Sequence, residues 1–255
     1  MTFDFGISGK KYLVTGASSG IGQATAILIS QCGGRVILTG RNKERLNQTL
    51  SQLEGEGHYI MPFDLADLDG IKPFVKNCIQ IDGRRFDGMV FASGIAKNKP
   101  IRSETISGIN EIMKVNFIAY LALLKEFSSQ KNLNDGGAIV AVSSQAGIIP
   151  DKGQCAYGSS KAALEAASTV ASRELEKRGI RVNLLLPGTT KTPMATAFFA
   201  SATEDELRDL FPLGVILPED IANAALFFLS NMSTKVTGQR LLVLGGHFVG
   251  PYNTL

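Results

Sequence analysis

Cysteine is scarce in this chain, with three among 255 residues: Cys32, Cys78 and Cys155. They form neither a CxxC pair nor a metal-ligand spacing, and an odd number argues against a disulfide framework, so reduced thiols in a cytoplasmic setting are expected. There are only two histidines, His58 and His247, far apart and without partners at ligand spacing. Neither points to a metal, and both read as structural. Long apolar runs are missing as well. ANAALFFLS at 222–230 is far too short for a bilayer, and the opening MTFDFGISGK carries an early acid and no apolar signal core, so no membrane association is expected. No run of Lys and Arg alternates with aromatics, and the formal charge is only +3 despite a pI near 8.7. Nucleic acid is therefore not an expected partner.

What the chain does contain is apolar residues, 44% of the total, enough to bury one large core in a single domain over 1–255. Short β-branched or apolar runs alternate with longer helical patterns, which is the mark of repeated βαβ units. Strands are predicted at Lys11 to Val14, Arg35 to Thr39, His58 to Phe63, Gly88 to Phe91, Ala138 to Val142, Arg181 to Leu186 and Arg240 to Leu244. Helices are predicted at about 20–32, 42–54, 67–80, 104–131, 155–178 and 218–230. Continuous apolar strands such as AIVAV imply a parallel sheet covered on both faces, a doubly wound Rossmann-type α/β fold. Residues 187–217, rich in Thr, Ala and Pro, read as one long irregular region, and a loop of that length is usually functional.

After the first strand, Thr15-Gly16-Ala17-Ser18-Ser19-Gly20-Ile21-Gly22 opens a helix. Glycines permit a sharp turn and close approach of a ligand, and a helix N-terminus offers N–H donors to a pyrophosphate. Gly16, Ser18, Ser19, Gly20, Ile21 and Gly22 are therefore dinucleotide-contact candidates. The second strand ends in Gly40-Arg41-Asn42, where an NAD-binding protein places an acid for the ribose. A guanidinium there can pair with a 2′-phosphate, favouring NADP(H) over NAD(H). A solvated arginine at a helix start is the other reading.

Tyr157 and Lys161 stand four residues apart in a helical pattern, so both project from one face. Bringing a phenol from a pKa of about 10 to near 7 takes roughly 4 kcal/mol. One cation about 4 Å away at an effective dielectric of 20 supplies a contribution of that size. Ser144 ends the strand at Ala138 to Val142, placing its hydroxyl above the C-terminal edge of the sheet where such folds bind ligands. Tyr157 is thus the candidate acid/base and Ser144 the candidate donor to the reacting oxygen, with Ser143 as second choice.

The spacing TGxxxGIG resembles the short-chain dehydrogenase/reductase family, and the likeness runs from Thr15 to Gly246. The resemblance implies a sheet ordered 3-2-1-4-5-6-7 and a catalytic set of Asn116, Ser144, Tyr157 and Lys161. Serine stands thirteen residues before the tyrosine, as in the family, and Asn116 matches the Asn that holds a water linked to the lysine. It further implies cofactor contacts at Asp64 and Leu65, at Ala92, Ser93 and Gly94, and at Pro187, Gly188, Thr190 and Thr192. Phe211-Pro212-Leu213-Gly214 followed by Pro218-Glu219-Asp220-Ile221-Ala222 looks like the 3-oxoacyl-[acyl-carrier-protein] reductase group. Against that group's pattern, NNAG appears as Phe91-Ala92-Ser93-Gly94, the terminal DGG as Leu244-Gly245-Gly246, and the Arg after PLG as Val215.

These features imply a small-molecule or acyl-thioester substrate. A sugar, alcohol or steroid dehydrogenase, or a catalytically silent nucleotide sensor, are the alternatives. The family is also oligomeric, implying a homotetramer or homodimer built on helices 104–131 and 155–178, whose Ala162, Ala163, Ala166, Ala167 and Ala171 permit close approach or serve a core equally. Cys155 reads as an accessible thiol or a packing residue. Phe198 and Phe199 read as pocket walls or lid anchors.

Overall fold

The computed structural model describes residues 5–246. Seven parallel strands form one sheet in the order β3-β2-β1-β4-β5-β6-β7. They are β1 (Lys11–Thr15), β2 (Arg35–Thr39), β3 (Tyr59–Ile60), β4 (Phe86–Phe91), β5 (Leu133–Val142), β6 (Arg181–Pro187) and β7 (Arg240–Val243). The helices are α1 (Gly20–Gln31), α2 (Lys43–Leu50), α3 (Ile71–Gln80), α4 (Ile106–Met113), α5 (Ala119–Phe127), α6 (Cys155–Glu174), α7 (Thr196–Ser201), α8 (Glu204–Leu210) and α9 (Pro218–Leu229).

Strand alternation divides the core in two. Leu13, Ile37, Met89, Ile139 and Val182 pack with Phe74, Leu123 and Leu164 of α3, α5 and α6. Their sequence neighbours Tyr12, Val36, Val90 and Val140 pack with Ile29, Leu46 and Ile221 of α1, α2 and α9. Because successive strand side chains point to opposite faces, both faces bury apolar surface, and burial on this scale is the main stabilising term.

Three expectations need correction. The helix expected over 104–131 is interrupted by a π-helical turn, Lys114–Ile118, which carries the buried Asn116. Residues 187–217 are not irregular throughout, since α7 and α8 lie within them. A capping box starts α8, with the Thr203 side chain accepting from the Glu206 N–H and the Glu206 carboxylate accepting from the Thr203 N–H. The third strand shrinks to Tyr59–Ile60, although the N–H groups of Met61 and Phe63 still donate to the carbonyls of Leu38 and Gly40. Of the alanines expected on an outer surface, Ala162 and Ala166 are exposed while Ala171 is buried in the core. His58 bonds the backbone of Val36 and Glu54; His247 lies outside the described residues.

Candidate active site

A cleft of about 1170 Å³ runs along the C-terminal ends of the strands, lined by the segments that follow β1 to β6. At its floor Gly16 and Gly20 adopt left-handed φ angles of +67° and +55°. A Cβ on Gly16 would stand 2.8 Å from the Ala92 carbonyl oxygen, and one on Gly22 only 2.4 Å from the Gly16 carbonyl oxygen. Gly22 therefore sits behind the cleft and lets α1 close onto β1, whereas Gly16, Ser18, Ser19, Gly20 and Ile21 line it. Ser19 caps α1 in an extended conformation, yet its hydroxyl makes no capping bond. The first amides of α1 are left to face a ligand.

Arg41, Asn42, Asp64 and Leu65 line the far end. Asn42 caps α2, its Oδ1 accepting from the Arg45 N–H at 2.8 Å. Asp64 Oδ1 accepts from the Ala66 N–H at 2.9 Å. Arg45 also lines this end, a second exposed guanidinium that the sequence reading passed over. Its position one turn after Arg41 was the available signal.

The segment after β4 is held without the two Asn side chains of the related pattern. The Thr15 hydroxyl accepts from the N–H groups of Ala92 and Ser93, both at 3.1 Å. Asn116 brackets Ile95, accepting from its N–H at 2.8 Å and donating to its carbonyl at 2.9 Å, with a further bond to Ser160 Oγ at 3.0 Å. Its amide is thus spent on positioning the loop. Asn116 lies behind Gly94, where a Cβ would come within 3.4 Å of both Asn116 Oδ1 and Lys161 Nζ.

Tyr157 and Lys161 share one face of α6, with Nζ 5.8 Å from the ring centroid. Lys161 Nζ donates to the Val142 carbonyl at 2.8 Å, at the end of β5. Ser144 Oγ accepts from the Ala146 N–H at 3.1 Å. Burial pushes the Tyr157 phenol above its ordinary value, and a hydrogen bond with Ser144 opposes that rise. Lys161 is pushed down to about 8 by loss of solvation, with the Glu165 carboxylate offsetting part of the fall. The lowered phenol that the spacing suggested is not reached in the chain alone, because desolvation outweighs the hydrogen bond with Ser144. Ser143, the second-choice serine, donates instead to Glu165 Oε1 at 2.7 Å. Glu165 also escaped the sequence reading, although a carboxylate four residues after Lys161 was the visible sign.

Pro187, Gly188, Thr190 and Thr192 complete the wall. The Thr192 N–H donates to the Thr190 carbonyl at 2.8 Å, and its Cγ2 would stand 3.0 Å from a Cβ on Gly20, so this turn closes over the glycine-rich one. Phe198 lines the cleft beside Met194 and Ile149, while Phe199 stacks on Phe211 at 6.3 Å. Leu213 is anchored through its N–H to the Gly245 carbonyl at 2.9 Å. Cys155 is exposed.

The chain is similar to known proteins over nearly its whole length. The profile of the family described as Enoyl-(Acyl carrier protein) reductase matches residues 16–247. The chain is 34% identical to 3-oxoacyl-[acyl-carrier-protein] reductase FabG of Thermotoga maritima, over 94% of this chain and 98% of that protein. It is 33% identical to Carbonyl reductase family member 4 of Danio rerio, over 92% and 96%. A crystal structure of a short-chain dehydrogenase/reductase from Brucella melitensis, described as a glucose/ribitol dehydrogenase, superposes with a TM-score of 0.89 at 26% identity, covering 98% of this chain and all of the other. The chain belongs to the short-chain dehydrogenase/reductase family. Short-chain dehydrogenases/reductases are oxidoreductases that act on carbonyl or alcohol groups with a nicotinamide dinucleotide. The residues present fit such a cofactor. The Gly16 and Gly20 turn leaves room that a Cβ would take, the α1 amides face the cleft, and the cleft is long enough to run from Arg41 to Tyr157. No helix among the described residues is long and apolar enough to cross a membrane.

Proposed function

We propose that the chain is an NADP(H)-dependent oxidoreductase that interconverts a carbonyl and a secondary alcohol, with a 3-oxoacyl thioester as the leading substrate class. The observation that carries this reading is the placement of Tyr157, Lys161 and Ser144 at one end of a cleft whose other end presents Arg41 and Arg45. Two guanidiniums match a 2′-phosphate through charge-assisted hydrogen bonds. A reduced nicotinamide, when bound, supplies the hydride.

The chain's own residues do the rest. Ser144 Oγ donates to the substrate oxygen and fixes its distance from Tyr157 Oη. Tyr157, which burial keeps protonated, gives its proton to that oxygen as negative charge develops there. Lys161 holds the ribose hydroxyls and, as an ammonium, stabilises the phenolate left behind. Asn116 keeps Ile95 and Gly94 in place beside Lys161, and through its π-helical turn lets a water reload the proton. Ile149, Met194 and Phe198 give the substrate end an apolar wall suited to an acyl chain. The segment 187–217 acts as the lid on one domain, in the cytoplasm, where its three thiols remain free.

A silent nucleotide sensor was suggested by the altered Phe91–Gly94 segment, but Thr15 holds Ala92 and Ser93, and Asn116 holds the adjoining Ile95. The chain is proposed to assemble as a homotetramer or homodimer through α5 and α6, where Leu121, Ala162, Ala166 and Val170 are exposed. Light scattering that finds a monomer at micromolar concentration rejects that assembly. The activity is tested by following NADPH absorbance with a panel of 3-oxoacyl thioesters, sugars, steroids and small ketones. Consumption with the thioesters is expected. Consumption only with another class corrects the substrate, and none at all overturns the enzyme.

A further inference from the structure

Glu165 is a buried carboxylate that sits beside the proposed chemistry and that this chemistry leaves unused. It lies one turn beyond Lys161 on α6 and is only 3% exposed. Burying a carboxylate this deeply costs several kcal/mol unless partners repay it, so its partners indicate what it is for. Oε1 accepts from Ser143 Oγ at 2.7 Å, and Oε2 faces Arg240 Nε of β7 at 3.3 Å. Among the described residues, the charged groups that act on it are Arg240 and Lys161. The turn that follows Ser144 is fitted around it, for a Cβ on Gly147 would come within 2.3 Å of Oε1 and 3.2 Å of Ser143 Oγ. The carboxylate therefore joins three elements: the end of β5, the helix that bears Tyr157 and Lys161, and β7.

We propose that Glu165 is a positioning residue that clamps the Ser144 turn onto α6 and holds Lys161 in its charged form, with Arg240 keeping Glu165 itself ionised. This rests on the oxidoreductase reading above and extends it to a residue outside the Asn-Ser-Tyr-Lys set. The electrostatics run in the matching direction. Burial drives Lys161 down, and the Glu165 charge is what opposes that fall. Burial drives Glu165 up, while Ser143, Arg240 and Lys161 pull it back. A neutral Lys161 would leave the Tyr157 phenolate without its cation. Ser143 thus has a task distinct from that of Ser144. It carries the clamp, and its neighbour meets the substrate.

The test uses the full chain and reads Lys161 directly. The lysine titration is followed by NMR of the 13C-labelled ε-carbon in wild type, Glu165→Gln and Arg240→Met, without cofactor, and kcat/KM for reduction is measured against pH in parallel. Removing the charge at 165 should lower the Lys161 titration by about one unit and move the alkaline limb of kcat/KM down with it. Arg240→Met changes a half-exposed side chain and should shift both in the same direction by less. If Glu165→Gln does not fold, Arg240→Met still decides the matter. A Lys161 titration unmoved in the variants that fold overturns the proposal even where activity falls, because loss of packing alone would not shift that signal. An inactive wild type with a shifted lysine would defeat the oxidoreductase reading and leave the clamp standing.

Discussion

A lysine is buried at each end of the strands, where they begin and where they finish, and the two ends treat it differently. At the N-terminal end Lys11 is fully buried and saturated. Its Nζ pairs with the Asp82 carboxylate, donates to the carbonyls of Cys78 at 2.8 Å and Arg84 at 3.1 Å, and lies 5.1 Å from the centre of the Phe86 ring. Arg181, on the same side, donates to the Phe228, Leu229 and Ser230 carbonyls and so closes the end of α9. At the C-terminal end Lys161 is buried nearly as deeply, but a single bond to the Val142 carbonyl is all its ammonium makes among the described residues. Burial consequently shifts it down to about 8. A buried cation with all its donors engaged holds a fold together. One with donors to spare is available to a ligand.

That contrast can be broken by substitution. The largest effect is expected for Lys161→Met, which should cut turnover by about three orders of magnitude and weaken NADPH binding, while the melting temperature holds or rises. Lys11→Met should do the reverse. It strands the Asp82 charge and costs about 3–5 kcal/mol of stability by denaturant titration, with turnover at low temperature kept. Next come the arginines of the cofactor end. Arg41→Ala and Arg45→Ala should each weaken NADPH binding about tenfold and leave NADH binding unchanged; equal losses for both cofactors would remove the 2′-phosphate assignment.

A smaller effect follows from pH. Below about 8 Lys161 keeps its proton, and above it the ammonium is lost, so kcat/KM for reduction should decline as pH rises through about 8. Stability on the alkaline side is set by opposed groups: Lys161, lowered to about 8, adds stability as pH rises from there to its ordinary value, while buried thiol and phenol groups remove it. Burial pushes the Cys78 thiol from 9.0 up to about 12, so between those values this thiol keeps its proton more in the folded chain than in the unfolded one and removes stability as pH rises. Buried Tyr12 and Tyr120 act in the same direction. The Cys78 contribution is read as a difference: from pH 8 to 10.5 the melting temperature of wild type should change less favourably than that of Cys78→Ala, and equal changes would contradict it.

How much of this was legible in the sequence depended on how local the signal was. Strands such as AIVAV announced themselves because both faces are buried, and the glycine-rich turn because only glycine tolerates Gly16's backbone and its closeness to Ala92. The π-helical turn was invisible, since one extra residue in a helix leaves the apolar pattern of 104–131 almost intact. The helices of 187–217 are short and propped by neighbours such as Phe211, although the capping box at Thr203 and Glu206 could have been read. Lys11 was read only as the start of a strand, because its partner Asp82 lies 71 positions away. Ser143 was read as a second-choice donor to the substrate, and its bond to Glu165 went unread because the contact spans 22 positions.

The account rests on the phenol at position 157 as the proton donor beside a bound NADPH. Its most direct test compares Tyr157→Phe with wild type by two readings on one sample: NADPH binding by fluorescence, and turnover with the substrate that the panel identifies. Binding should be unchanged while turnover falls by roughly a factor of 10² to 10⁴. Turnover retained within a few fold, with NADPH bound normally, would contradict it.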